Sequence, residues 1–221
     1  MPQVTLPDNS KKDFDSIVTV EQLAKDISNS LAKSAVAARI DGQLVDTSYE
    51  ISEDCKVEVL TAKDLEGLEV IRHSCAHLLA HALKQLYPDV RLAIGPVIDD
   101  GFYYDFEVDR PFTPEDLDAI ESRMSGAISR SLVFEREELD QERANEMFSD
   151  QPYKLEIISE LSQGETISIY RHGEFADLCR GPHVLSTAHI SAFKLLSIAG
   201  AYWRGDERRP MLQRIYGTAF E

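Results

Sequence analysis

The 221-residue sequence predicts an α+β fold, and three observations predict it. Apolar residues recur at helical spacing across residues 68–86, short apolar runs flank hairpin-forming dipeptides, and two helix-capping boxes punctuate the chain. No repeat occurs at any period.

In chain order, Val4 and Leu6 begin a strand that turns through Pro7, Asp8 and Asn9. Thr19 with Gln22 three residues later makes a capping box, and Val20, Leu23, Ile27 and Leu31 follow with helical spacing, so one short helix is expected. Strands at 36–40 and 43–45 flank Asp41-Gly42, a pair that tolerates the positive φ of a tight hairpin. A strand at 56–60 closes this unit. The sequence turns polar near residues 62–67, which divides the chain into 1–62 and 63–221.

The second part opens with a helix over residues 68–86, ended by Pro88, with Leu68, Ile71, Cys75, Leu78, Ala82 and Leu86 on one apolar stripe. The run RLAIGPVIDDGFYYDF suits two strands joined at Asp99, Asp100 and Gly101. Thr113 caps the next helix, with Pro114 at its first position, Asp116 three residues after the cap, and Leu117, Ile120, Met124 and Ile128 on one face. A short helix is expected near 145–148 and strands at 153–160 and 166–170, with Gln163 and Gly164 in the turn between them. The remainder reads as short strands and loops.

Composition narrows the function classes. Hydrophobic residues make up 43% and charged residues 28%, which fits a globular chain. No apolar run approaches the ~18 residues of a membrane span and the N-terminus lacks a signal-peptide core, so a cytoplasmic protein without membrane contact is expected. The net charge of −16 opposes a general electrostatic grip on nucleic acid. Residues 180–214 run against that balance, with Arg180, Lys194, Arg204, Arg208, Arg209 and Arg214 against Asp206 and Glu207, so a local anion-facing surface is conceivable. Three cysteines are too few for a disulfide framework and are expected as thiols.

Two clusters could do chemistry. His73, His77 and His81 stack on one side of the long helix, about 200° around from Ile71, beside the small residues Ser74, Ala76 and Ala80. HLLAH at 77–81 resembles a zinc-protease motif, but Leu78 stands where the general-base Glu would be. In the segment from Asp177 to His183, Gly181-Pro182 forbids a regular helix, so Cys179 and His183 are presented from a turn. HxxxH plus CxxxH supplies four N/S groups, which could hold tetrahedral Zn²⁺ or polarise a water at an ester without metal.

With HSCAH at 73–77, GPVIDDGFYYD at 95–105, DLCRGPH at 177–183, GAYWRGD at 200–206 and MLQRIYGTAF at 211–220, the chain resembles over its whole length the N-terminal and editing regions of bacterial threonyl-tRNA synthetases. Alanyl-tRNA synthetases carry a related editing fold with the same paired motifs. The resemblance implies a small ubiquitin-like β-grasp module, the TGS domain, followed by a larger α+β domain that hydrolyses mischarged seryl-tRNA. By resemblance, His73 positions or deprotonates the attacking water, and His77, Cys179 and His183 complete the cluster. Lys154 lies near the ester, Asp177 contacts the seryl group, and Gly95, Pro96 and Tyr104 wall the site for adenosine and amino acid. From the residues alone, Tyr104 could equally be core, Lys154 a solvated strand residue and Gly95-Pro96 a turn. Cys179 could be a nucleophile or only help position water, the latter being preferred. No metal or other cofactor is expected for editing. ATP and zinc belong to a synthetic core whose motifs do not occur before Glu221, so neither threonine activation nor tRNA charging is expected of this chain. The implied partners are the acceptor end of tRNA(Thr) carrying serine and the rest of a synthetase chain, itself expected to be a homodimer.

Overall fold

The computed structural model describes residues 1–162 and 164–221, so the expected turn at Gln163 lies outside the described residues. β1 (Gln3–Thr5) and β2 (Lys11–Asp13) form the expected antiparallel hairpin, with Asn9 at φ 65°. β3 (Val18–Thr19) leads into α1 (Val20–Ile27), where Thr19 and Gln22 make the capping box. The single helix expected here is two. Ser28 is fully extended and its hydroxyl accepts the Leu31 N–H to start α2 (Asn29–Ser34), because a serine competes for backbone groups and favours a cap over a helix interior.

β4 (Ala35–Ile40) and β5 (Gln43–Val45) turn through Asp41 and Gly42, both at positive φ. β6 (Glu50–Ile51) pairs with β3, and β7 (Cys55–Thr61) runs parallel to β1 and antiparallel to β4. The sheet order β2-β1-β7-β4-β5, with Val20 and Leu23 of α1 packed on Val4, Ala38 and Val57, is a β-grasp arrangement.

α3 (Leu65–Leu86) is buried on nearly every side. Ile71, Cys75, Leu78 and Ala82 are core as expected, and Ser74, His77 and His81, outside that stripe, are buried as well. One continuous core joins Val36, Ala37 and Leu60 of the first unit to α3 and to the strands beyond it. At this junction Gly67 is required, since a β-carbon there would collide with the Thr61 carbonyl.

β8 (Arg91–Leu92), β9 (Val97–Ile98) and β10 (Gly101–Glu107) follow, then α4 (Pro114–Ser129) with its capping box from Thr113 and Asp116. β11 (Glu135–Leu139) and α5 (Gln141–Met147) precede α6 (Pro152–Ser159). The strand expected at 153–160 is therefore a helix. Tyr153, Leu155 and Ile157 mimic strand alternation, but Pro152 starts the helix at its first turn, and the buried residues are Tyr153, Lys154 and Ile158. β12 (Ile167–His172) and β13 (Phe175–Leu178) form a three-stranded sheet with β11.

Instead of short strands and loops, the chain closes on a long hairpin of β14 (Ala192–Tyr202) and β15 (Met211–Phe220). Its sheet has the order β14-β15-β10-β8, with β9 on β10. The basic segment offers little free charge: Lys194, Arg204, Arg208, Arg209 and Arg214 each meet a carboxylate at 2.6–2.8 Å, and among the described residues Arg180 has a long 3.5 Å pair to Glu165. Among the described residues no helix is long and apolar enough to cross a membrane.

Candidate active site

α3 supplies His73 and His77, and the loop after β13 supplies Cys179 and His183. The Cys179 sulfur lies 3.2 Å from His73 Nε2 and 3.3 Å from His183 Nε2, and it accepts the Gly181 N–H at 3.2 Å. Ser74 Oγ donates to the Val70 carbonyl at 2.8 Å. With its one proton used there, it accepts from His183 Nδ1, 3.0 Å away, and from the Val184 N–H at 3.1 Å. His183 Nε2 is thereby left bare toward the thiol. The small residue that receives the loop is thus Ser74, whereas Ala76 and Ala80 lie in the hydrophobic core.

Burial controls the charges. It lowers the His73 pKa, against a hydrogen bond to the Pro182 backbone, and puts His77 and His183 well below the ordinary histidine value. All three imidazoles are neutral at pH 7. Burial also pushes the Cys179 thiol up to about 12, with the Gly181 N–H acting the other way. A protonated thiol is a poor nucleophile, and neutral imidazoles are bases.

Across the same pocket α6 presents Lys154. Its ammonium is 2.6 Å from Asp177 Oδ1 on β13 and donates to the Tyr104 hydroxyl on β10 at 3.1 Å. Tyr104 donates to Asp177 Oδ2 at 2.6 Å, and Asp177 Oδ1 also accepts the Leu178 N–H at 2.8 Å. The Lys154 and Asp177 side chains are 4% and 2% exposed, so the solvated-strand alternative for Lys154 falls. Among the described residues its hydrogen-bond acceptor is Tyr104 and its ion-pair partner is Asp177, so the ammonium keeps donor capacity toward the cavity. Gly95 lies flat under Tyr104, where a β-carbon would enter the ring.

The cavity of about 250 Å³ between the two halves is lined by His73, His77, Gly95, Tyr104, Lys154, Asp177 and Cys179, with Arg180 and Glu165 at its edge. His183 sits behind Cys179, against the rings of Tyr170 and Phe134. Pro96 is not among the lining residues; its carbonyl accepts the Tyr103 N–H. His81 leaves the cluster and packs on His172 and Phe175. The donor atoms of His73, His77, Cys179 and His183 all lie within 4.8 Å of one another, and three neutral imidazoles with a thiol are donor types that Zn²⁺ accepts. Sequence reasoning missed Asp46, whose carboxylate accepts the Tyr170 hydroxyl at 2.6 Å and the His183 N–H at 2.7 Å. No local pattern marks that residue.

Residues 2–61 match the TGS domain model, and residues 167–216 match the model of the threonyl and alanyl tRNA synthetase second additional domain. Over its whole length the chain is 56% identical to the threonine–tRNA ligase of Methylococcus capsulatus and 54% identical to that of Nitrosococcus oceani, covering 35% and 34% of those proteins. The chain corresponds to the N-terminal region of bacterial threonine–tRNA ligases. The threonine–tRNA ligase of Prochlorococcus marinus, at 50% identity over the whole chain, shows the same correspondence, and the chain spans about a third of the length of the curated relatives it matches. β12, β13 and the loop bearing Cys179 and His183 fall inside the residues matched to the second additional domain model, while His73, His77, Tyr104 and Lys154 precede them.

Proposed function

We propose that this pocket hydrolyses the ester of mischarged Ser-tRNA(Thr). The observation that carries the reading is the placing of neutral imidazoles and a polarised sulfur opposite a buried Lys154 ammonium across one cavity. His73 takes a proton from water, whose oxygen attacks the ester carbonyl. The Lys154 ammonium, on the cavity wall, faces the developing oxyanion. Collapse expels the ribose oxygen, which regains a proton from the imidazolium, giving free serine and tRNA. Cys179 acts through its hydrogen bonds and not as nucleophile, in line with its raised pKa. Asp177, which accepts two hydrogen bonds and pairs with the Lys154 ammonium, serves first to hold Lys154 and Tyr104.

A second site suits the chemistry. Serine lacks one methyl group of threonine, and in a synthetic pocket that difference is worth only ~1–3 kcal/mol, or roughly 10–200-fold. A cavity walled by Tyr104 and His77 can admit serine and crowd out the extra methyl. Arg180, the least paired cation at the mouth, is placed to meet an acceptor-end phosphate, while the rest of a ligase chain would hold the remaining tRNA.

Incubating the chain with Ser-tRNA(Thr) and Thr-tRNA(Thr) should release serine much faster. Equal rates would refute the sieve, and retained binding without hydrolysis would indicate a non-catalytic RNA-binding module. The four clustered donors favour one further reading, a zinc-dependent hydrolase. Stoichiometric zinc in the purified chain, lost together with activity on chelation, would establish it in place of metal-free attack.

A further inference from the structure

We propose that the N-terminal β-grasp unit is a working part of the pocket, through Asp46 as a positioning residue for the turn at 181–183. Its kinetic consequence rests on the hydrolytic reading above. Asp46 follows β5 and reaches out of its own unit to two donors more than a hundred residues away, the Tyr170 hydroxyl at 2.6 Å and the His183 backbone N–H at 2.7 Å. A carboxylate has acceptors only, so it satisfies both at once. Each donor bears on the turn. Tyr170 packs edge-on against the His183 ring with centroids 4.5 Å apart, and its hydroxyl abuts Gly181, where no β-carbon would fit. Gly181 in turn donates its N–H to the Cys179 sulfur. One carboxylate therefore fixes the loop that carries half of the imidazole–thiol cluster.

The other half rides on α3. The same helix packs on Val36, Ala37 and Leu60 of the N-terminal unit, and its Glu66 pairs with Arg39. Asp46 is thus held relative to His73 and His77 by a shared apolar core, and it sets Cys179 and His183 against them. Without Asp46, the Tyr170 hydroxyl and the His183 N–H lose their acceptor in a part-buried site, and the turn gains freedom. An active-site displacement of about 1 Å is enough to cost about a hundredfold in rate.

The test uses the whole chain with Asp46→Ala, Asp46→Asn and Tyr170→Phe, and two readouts. The first is steady-state deacylation of Ser-tRNA(Thr). Asp46→Ala should lower kcat by about ten- to a hundredfold with KM changed less than about twofold. Asp46→Asn, keeping one acceptor oxygen, and Tyr170→Phe, losing one donor, should fall between it and the parent. The second readout needs no activity: the rate at which iodoacetamide labels Cys179, read by peptide mass against Cys55 in the same molecule. That ratio should rise roughly fivefold in Asp46→Ala as the turn loosens. If the parent chain does not deacylate, the hydrolytic reading falls, while a raised labelling ratio in Asp46→Ala still carries the positioning role. Unchanged kcat and an unchanged labelling ratio overturn the positioning role, as does a raised KM at unchanged kcat, which would make Asp46 a tRNA contact. If Asp46→Ala does not fold, the two milder variants decide by the same criteria.

Discussion

Replacing Lys154 with methionine separates the stabilising and chemical roles of the buried pair. Methionine keeps most of the stem's volume but removes the cation, stranding the Asp177 carboxylate with the Tyr104 hydroxyl and the Leu178 N–H as its remaining donors. Both side chains are almost wholly excluded from solvent, the setting in which breaking one partner of an ion pair costs about 3–5 kcal/mol. For a chain of this size that is a fall in Tm of roughly 6–20 °C, at ~2–4 °C per kcal/mol. Deacylation should fall by about a hundredfold or more with the oxyanion donor gone. Adding Asp177→Asn removes the stranded charge, so the double variant should recover most of the lost Tm and none of the activity. Thermal melts followed by circular dichroism and Ser-tRNA(Thr) deacylation read the two quantities. An unchanged Tm in Lys154→Met would refute the buried ion pair, and recovery of activity in the double variant would show that Lys154 only holds the fold.

Three other expectations follow from the same geometry. His73→Ala and Cys179→Ala touch one cluster, so their losses in rate should be strongly non-additive in a double-mutant cycle; simple addition would assign one of them to packing. Burial depresses His81 to about 4 and His172 to about 3, with His77 and His183 shifted the same way, so these rings are neutral when folded and take up protons on unfolding below pH 6.5. Stability should therefore be full above that pH and fall as pH drops toward 4, by roughly 2 kcal/mol each for His81 and His172 between pH 7 and pH 5; urea melts that are flat over this range would contradict it, and His172→Phe should reduce the slope. Gly95→Ala forces the Tyr104 ring out of place and should cost about 1–3 kcal/mol together with most of the deacylation, whereas a fully active variant would show that the ring position is immaterial.

Much of the β-grasp unit and of α3 and α4 was legible because their signals are local. Thr19 and Gln22, Thr113 and Asp116, and Asp41-Gly42 each act within a few residues, and the structure uses all three as their spacing implies. Ser28 and Pro152 were readable in principle and were outweighed by apolar periodicity on either side. The clusters at 73–77 and 177–183 stood out by residue type, yet their meeting through Ser74 and Cys179 is a tertiary fact that no spacing encodes. Lys154 and Asp46 mark the limit. Both are ordinary charged residues in sequence, and each matters only because of a partner brought to it by another sheet or another unit.

The place of β15 in its sheet has a consequence for synthesis. It is an inner strand, hydrogen-bonded to β14 on one side and β10 on the other, and its Ile215 and Ala219 complete the core against α3. On a ribosome the β-grasp strands and α3 emerge early, but α3 then waits for about 125 more residues before its sheet can close. At ~5–20 residues per second that interval is on the order of ten seconds, during which a nearly all-buried helix lacks one of its principal covers. Nascent chains of this type should therefore be clients of a ribosome-associated chaperone until the final strand is made.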